Sequence, residues 1–141
     1  MKRIINVLVI EDNENFNNLL LDTLKQVVRT EKKGWDFRFF FYSFTDAANC
    51  AASIRSGKFA DNESIAFIDY YLGTGINGTH IIKMLREQPV NATIVLISQS
   101  KSVREKVDQG MYDFFVLKDD TAPALCCLCF EQYLDNKVYS Y

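Results

Sequence analysis

The chain has 141 residues, of which 48% are hydrophobic and 24% charged, and its formal net charge is −2. These values are typical of one globular domain, which we expect to span 1–141. Nothing favours nucleic acid binding, because neither a basic run nor an excess of positive charge is present. No apolar stretch approaches the roughly 18 residues of a membrane span. The N-terminus lacks a signal-peptide cleavage site, so a cytoplasmic protein is expected.

Strands and helices alternate in the predicted secondary structure. Short apolar runs rich in β-branched or aromatic residues predict strands. Apolar residues at helical spacing predict helices, with Asn13 as an N-cap and Gly34 beyond the end of the first one. Three glycines make 72–78 a loop, and Thr121 caps the last helix with Pro123 in its first turn. The predicted order is strand 4–10, helix 14–30, strand 35–44, helix 46–56, strand 65–69, helix 78–88, strand 93–97, helix 101–110, strand 114–117 and a last helix.

This alternation predicts an α/β fold, a doubly wound five-stranded parallel sheet with helices on both faces. The carboxyl ends of parallel strands share one edge of such a sheet, and ligands bind in the crevice there. A polar residue follows or closes an apolar run at four of these ends. The residues that would meet at this edge are Glu11, Asp12, Asp69, Ser98 and Lys118.

This polar set suits a divalent metal and a phosphoryl group. Mg²⁺ prefers oxygen ligands, which Glu11, Asp12 and Asp69 can supply. An aspartate can also act as a nucleophile and carry an acyl phosphate. The Ser98 hydroxyl and the Lys118 ammonium can each contact a phosphoryl oxygen. Taken singly, each residue has an ordinary structural explanation as a cap or a surface charge, so the hypothesis depends on the whole set meeting in one fold.

Three further features lie outside this edge. Cys50, Cys126, Cys127 and Cys129 lack the second C-x2-C pair of a zinc site, which favours structural thiols over a metal or redox role. His80 lies early in the third helix beside two isoleucines, which favours a structural role. The apolar run 122–130 of the last helix has two interpretations that the sequence leaves open: burial of one side, or a surface for a partner or a second copy.

The ordered set of motifs resembles the receiver domain of two-component response regulators over nearly the whole chain. The spacings of 29 residues from Asp69 to Ser98 and of 20 from Ser98 to Lys118 agree with that family. The resemblance implies a flavodoxin-like receiver fold with strand order 2-1-3-4-5. The matching segments are VLVIEDN with Glu11 and Asp12, FIDYYL with Asp69, VLIS with Ser98, and FFVLKD with Lys118.

The resemblance also implies a mechanism. A histidine kinase or a phosphotransfer protein would donate a phosphoryl group to Asp69, and Ser98 and Lys118 would contact that group. Ser98 and Phe115 would then move together and signal through the face formed by helix 4, strand 5 and helix 5, to a downstream protein or a second copy of the chain. The chain would assist its own phosphorylation and turn over no separate substrate. The implied ligands of Mg²⁺ are Glu11, Asp12, Asp69 and the backbone carbonyl of Tyr71.

Three departures from the family pattern carry expectations of their own. Asp12 and Asp69 are 57 residues apart, more than is usual, and the excess is expected between helix 1 and strand 2 or around 57–64. Asp119 replaces the proline that usually follows the lysine, which removes the usual reason for a cis peptide. Tyr71 and Gln99 are bulkier than the residues usual beside the acceptor, which predicts slow loss of the phosphoryl group.

Two other functions remain as alternatives from the sequence. The first is a receiver-like protein interaction module that is never phosphorylated, because a fold alone does not establish an activity. The second is a Mg²⁺-dependent phosphohydrolase with an aspartate nucleophile, which is disfavoured because Asp69-Tyr70-Tyr71 lacks the second acid of a D-x-D motif. With no output module after residue 141, we expect a stand-alone signalling domain, or else a fragment of a longer protein.

Overall fold

The structure is a computed structural model that describes residues 3–30, 36–73, 75–89 and 91–139. The predicted positions of Gly34 and of the start of the second strand at 35 lie outside the described residues. Strands and helices alternate throughout. The elements are β1 (Arg3–Ile10), α1 (Glu14–Thr30), β2 (Phe37–Phe44), α2 (Ala47–Arg55), β3 (Glu63–Asp69), α3 (Gly78–Arg86), β4 (Ala92–Ser98), α4 (Ser102–Lys106), a 3₁₀ turn (Gln109–Met111), β5 (Phe114–Leu117) and α5 (Ala122–Tyr139).

The five strands form one parallel sheet in the order β2-β1-β3-β4-β5. This confirms the predicted α/β fold and the strand order. The register pairs Ile10 with both Phe44 and Ile68, and it pairs Ser98 with Leu117. The strands therefore end nearly level, and the residues that follow them lie at one edge of the sheet.

Each face of the sheet packs against its own helices. Alternate strand residues such as Val7 and Val9 point towards α1 and α5, whereas Leu8 and Ile10 point towards α2 and α3. All four are completely buried, and burial of each such side chain contributes roughly 1.5–3 kcal/mol to folding. The two cores fix the strands from both sides, so the edge that carries the polar residues stands on a rigid support.

The helix predicted over 101–110 is wrong in its length. α4 ends at Lys106, and Val107 has extended backbone angles of φ −90° and ψ 131°. Val103 and Val107 are the buried side chains of this segment, and extending the backbone at Val107 places its side chain in the α2/α3 core. Asp108 then starts the 3₁₀ turn, because its carboxylate accepts a hydrogen bond from the Gly110 N–H at 3.0 Å.

The remaining helices begin close to their predicted starts. Asn13 caps α1, since its Oδ1 accepts a hydrogen bond from the Phe16 N–H at 2.9 Å. His80 is part of the α3 cap, and its Nδ1 accepts a hydrogen bond from the Asn77 N–H at 3.1 Å. Thr121 precedes α5 as predicted, but its hydroxyl donates to Asp119 Oδ1 at 2.6 Å. The histidine thus has the structural role that the sequence favoured.

The last helix buries one side and exposes the other. Cys126 and Phe130 are fully buried, whereas Leu125 and Leu128 are 40% and 59% exposed. The four cysteines are free thiols. Cys50 and Cys126 are buried, whereas Cys127 and Cys129 are half-buried.

Phe59 anchors the connection from α2 to β3 in the core, with its ring 5.0 Å from that of Tyr42. None of the described helices is long and apolar enough to span a bilayer.

Candidate functional site

Three carboxylates meet at the carboxyl edge of the sheet. Glu11 and Asp12 follow β1, Asp69 is the last residue of β3, and one oxygen from each lies within 4.8 Å of the others. The end of β3 is held closely, because a Cβ added at Gly78 would lie 2.7 Å from the Asp69 carbonyl oxygen. A residue without a side chain at the start of α3 therefore allows the helix to pack directly on the strand that carries Asp69.

Burial dominates the electrostatics of this cluster. Glu11 is 1% exposed and Asp69 is 5% exposed, while Asp12 faces solvent. Burial raises the pKa of Glu11 from 4.5 to about 8, although the hydrogen bond from Lys118 opposes this change. Burial also raises the pKa of Asp69 above its usual value. Negative charge on these two carboxylates is thus costly even with Lys118 beside them, which is the expected property of a metal-binding carboxylate cluster.

Lys118 is the cation of the cluster. Its ammonium contacts Glu11 Oε1 and lies 3.3 Å from Asp69 Oδ2. Its backbone N–H donates to the Ser98 carbonyl at 2.8 Å, which fixes the chain where β5 ends. Burial lowers the lysine pKa, but the hydrogen bond to Glu11 and the charge of Asp69 outweigh it and raise the pKa above 10.5. Within the described part of the chain, which includes the Lys118–Asp119 bond, all peptides are trans.

Asp12, Asp69 and Lys118 border an open cavity of about 440 Å³. Tyr71 stands at its rim, 50% exposed, with its ring 4.8 Å from that of Tyr70. The lining is mostly polar, so the cavity suits a small charged group rather than an apolar ligand. The lining residues are Asp12, Asn13, Asp69, Tyr71, Gln99 and Lys118.

Three of the residues singled out in the sequence, Glu11, Ser98 and Phe115, lie outside that lining. Ser98 is fully buried at the end of β4, and its hydroxyl accepts a hydrogen bond from the Ser100 N–H at 3.1 Å. Phe115 is half-buried in β5 and lines a separate groove with Leu117 and with charged residues of the α4 segment. The structure therefore brings together Glu11, Asp12, Asp69, Tyr71 and Lys118, and it places Ser98 and Phe115 behind or beside them.

Sequence reasoning missed two side chains that shape the site. Asn17 is fully buried in α1, and its amide donates to the carbonyls of Glu11 and Phe44 at 3.0 Å each. These two hydrogen bonds hold the loop after β1 in place. The sequence signal that could have identified Asn17 is a polar residue on the apolar side of α1. The second is Phe16, whose ring lies under the Lys118 ammonium with the centroid 4.8 Å away. Helical spacing places Phe16 on the apolar side of the helix but does not predict its contact with Lys118.

Comparison with known proteins gives the fold. No protein-family model matches the sequence, and no curated protein sequence matches it either. Among solved structures, a two-component response regulator from Cytophaga hutchinsonii is similar over 99% of this chain and 100% of its own, with 24% identity and a TM-score of 0.64. Response regulator TrrA from Thermotoga maritima, in complex with Mg²⁺ and BeF, is similar over 93% of this chain and 98% of its own. Its identity is 19% and its TM-score 0.65.

A third solved structure is a CheY-like receiver domain from Methylobacillus flagellatus. It shares 17% identity over 92% of this chain and 98% of its own, with a TM-score of 0.60. The similarity in all three cases covers nearly the full length of both chains, and the strand order of the sheet agrees with it. The chain therefore has the fold of response regulator receiver domains.

Proposed function

We propose that this chain is a single receiver domain over 1–141 that accepts a phosphoryl group on Asp69. The donor would be a histidine kinase or a histidine phosphotransfer protein. The observation that carries the proposal is the meeting of three carboxylates within 4.8 Å, beside the Lys118 ammonium, at the carboxyl edge of a 2-1-3-4-5 sheet. The likeness to solved receiver domains, one of them in complex with Mg²⁺ and BeF, supports it.

The proposed reaction assigns one role to each reacting group. A carboxylate oxygen of Asp69 attacks the phosphorus of a phosphohistidine, the P–N bond breaks as the P–O bond forms, and the imidazole leaves with its electron pair and takes up a proton. Lys118 pairs with an oxygen of the transferred group, which requires only a small shift from its position beside Asp69. Ser98 contacts another oxygen after its hydroxyl releases the Ser100 N–H. No separate substrate is turned over.

The carboxylate cluster fits Mg²⁺ as the cofactor. The ion would be held by Glu11, Asp12 and Asp69 with the backbone carbonyl of Tyr71. Oxygen donors are its preferred ligands, and a raised Glu11 pKa of about 8 shows how poorly the buried cluster tolerates its own charge. When bound, Mg²⁺ would offset the negative charge on the carboxylates and on the phosphoryl oxygens.

The proposed output surface is the face formed by α4, β5 and α5. Phe115 lies in β5 next to the α4 segment, so a change at Ser98 could reach it through neighbouring strand ends. The partner is a downstream protein, or a second copy of the chain meeting the exposed leucines of α5. Sedimentation with and without a phosphoryl mimic separates these two partners, because only the second changes the mass of the sedimenting species.

Intact mass spectrometry tests the proposal directly. The wild type would be incubated with Mg²⁺ and acetyl phosphate beside two variants, Asp69→Asn in the site and Glu63→Gln at the opposite end of β3. We expect a gain of about 80 Da in the wild type and in Glu63→Gln, and no gain in Asp69→Asn. Absence of any gain, also with a cognate kinase, would instead favour the interaction-module alternative.

The rim residues predict a long-lived phosphoryl group. Tyr71 and Gln99 line the same cavity as Asp69, and we expect their bulk to restrict the approach of an attacking water. We expect Tyr71→Ala and Gln99→Ala to shorten the lifetime of the aspartyl phosphate by about tenfold, a change of about 1.4 kcal/mol in the barrier. The lifetime would be followed by the loss of the added mass after removal of the donor. Unchanged lifetimes in both variants would contradict the idea.

A further inference from the structure

The Lys118 ammonium has two different kinds of neighbour. On one side are the carboxylates of Glu11 and Asp69. On another side is the face of the Phe16 ring, with its centroid 4.8 Å from Nζ. The lysine side chain is only 13% exposed, so little water lies between these groups. An ammonium that is this poorly hydrated gains more from an aromatic face than one at an open surface does.

The position of the ring does not depend on the lysine. Phe16 belongs to the first turn of α1, where its N–H donates to the Asn13 side chain at 2.9 Å. Its ring is half-buried and packs against the core between the sheet, α1 and α5. The neighbouring Asn17 fixes the same turn to the loop after β1. The helix cap, the core and this amide therefore hold the ring in place before any ligand reaches the site.

We propose that Phe16 is a positioning residue for Lys118, and that its ring face keeps the ammonium at the carboxyl edge while the carboxylates change partners. The carboxylates attract the ammonium in the free protein, but this attraction weakens whenever a cation or a protonated donor approaches them. The quadrupole of the ring is not neutralised by such events. Phe16 thus supplies the part of the attraction that persists through each step, and it prevents the lysine from extending into solvent.

The consequence for phosphoryl transfer rests on the proposed function, whereas the positioning itself does not. Once Asp69 becomes an acyl phosphate, Lys118 must turn from the carboxylate to a phosphoryl oxygen without leaving the edge. A ring beneath the ammonium lets it pivot over a flat attractive surface. Loss of the ring face should therefore slow phosphorylation clearly while changing the free energy of unfolding only slightly.

The test compares an apolar substitution that removes the π face of the side chain with one that retains it. Phe16→Leu removes the face, and Phe16→Tyr retains it. Phe41→Leu is the matched control, because Phe41 packs against the same core and lies under Lys25 with a centroid distance of 5.8 Å, away from the cluster. Fluorinated phenylalanines placed only at position 16 keep the shape of the ring and weaken its face in steps, which guards against a folding defect in Phe16→Leu.

The first readout is the nuclear magnetic resonance signal of the Lys118 side chain in the free protein, which requires no phosphorylation. The ring current should shift its Hε protons upfield in the wild type, in Phe16→Tyr and in Phe41→Leu, and this shift should be lost in Phe16→Leu. The second readout is the rate of phosphorylation by acetyl phosphate. We expect it to fall about three- to tenfold in Phe16→Leu, and to decline progressively with fluorine content.

The outcomes separate failure of this inference from failure of the proposed function. If the Lys118 signal is the same in Phe16→Leu as in the wild type, the positioning role is wrong, whatever the phosphorylation rate. If the signal changes as expected but the wild type never gains a phosphoryl group, the positioning role stands and the proposed function is wrong. If the signal changes but fluorination leaves the rate of phosphorylation unaltered, the ring contacts Lys118 without a role in phosphoryl transfer, and the proposed consequence for that reaction is wrong.

Discussion

The two ends of the sheet handle charge in opposite ways. At the amino end, one carboxylate, Glu63 on β3, lies between Arg3 at 3.0 Å and Lys137 at 3.1 Å. At the carboxyl end, three carboxylates lie together, and the Lys118 ammonium contacts two of them, Glu11 and Asp69. The first cluster is partly hydrated, with side chains 24–37% exposed, whereas the Glu11 and Asp69 side chains are only 2% and 7% exposed.

This difference is the one expected between an ion cluster that serves the fold and the cation-binding cluster that we propose for the carboxyl end. Glu63 has more positive than negative charge around it and joins β1 and α5 to β3, so it serves the fold. Full ionisation of Glu11 and Asp69 would place two buried negative charges beside the one positive charge of Lys118. A protein tolerates such an arrangement when a ligand supplies the missing positive charge. Four measurements test this difference between the two ends of the sheet.

The largest expected effect is the pH dependence of stability without divalent metal. Because the pKa of Glu11 is raised from 4.5 to about 8 on folding, the folded state binds its proton more tightly than the unfolded state does. The contribution to stability is complete below about pH 4.5 and is lost as the pH rises towards about 8, by a few kcal/mol. Urea unfolding in EDTA should show this decrease in the free energy of unfolding with rising pH in the wild type and in Glu63→Gln. If Glu11→Gln shows the same decrease as the wild type, the pH dependence does not come from Glu11.

The next effect is stabilisation by Mg²⁺. At about pH 8 and about 10 mM Mg²⁺, we expect the free energy of unfolding of the wild type to rise by about 1–3 kcal/mol, because the ion binds only the folded cluster. Asp12→Asn should lose most of this gain and Glu63→Gln should keep it. An equal gain in all three proteins would show that the ion acts on the surface at large.

A smaller effect separates the two ends by its sign. Asp69→Asn removes one of three crowded carboxylates, so we expect it to stabilise the metal-free protein by about 1–2 kcal/mol. Glu63→Gln removes the common partner of two cations and should destabilise by about 1 kcal/mol. Denaturant unfolding of both variants in EDTA gives the two values. If both substitutions change the free energy of unfolding in the same direction, the two ends of the sheet do not differ in how their carboxylates affect stability.

The smallest effect concerns Lys137, one of the two cations beside Glu63. We expect Lys137→Met to change the free energy of unfolding by less than about 1 kcal/mol, because both side chains are about one quarter exposed and Arg3 remains beside the carboxylate. The same urea titration measures it. A loss of several kcal/mol would show that the amino end depends on each of its ions as strongly as the buried cluster depends on Lys118.

Periodicity and strand-end chemistry were sufficient to predict the sheet and most of its edge. Apolar runs that end in acid, hydroxyl or ammonium groups identified Glu11, Asp12, Asp69, Ser98 and Lys118, because strand ends in a parallel sheet converge by geometry. The length of α4 was not predictable in this way. Its end depends on the burial of Val107 in a core that forms only in the folded chain.

The side chains that support the site were harder to predict than the ones that form it. Asn17 and Phe16 act through partners that are distant along the chain, namely the carbonyl of Phe44 and the ammonium of Lys118. Helical spacing assigns both residues to the inner side of α1 but does not say what they meet there. Their roles follow from the docking of α1 on the sheet, which no local pattern encodes.

The shortness of α4 has a consequence for motion. A five-residue helix closes few internal hydrogen bonds, and the Val107 N–H to Val103 carbonyl bond, at 3.0 Å, is at its last turn. Opening such a segment exposes little apolar surface, so its amide protons should exchange with solvent far faster than those of the neighbouring β4. The segment beside β5 can then open without loosening the sheet, and the exchange rates of its amide protons measure that opening directly.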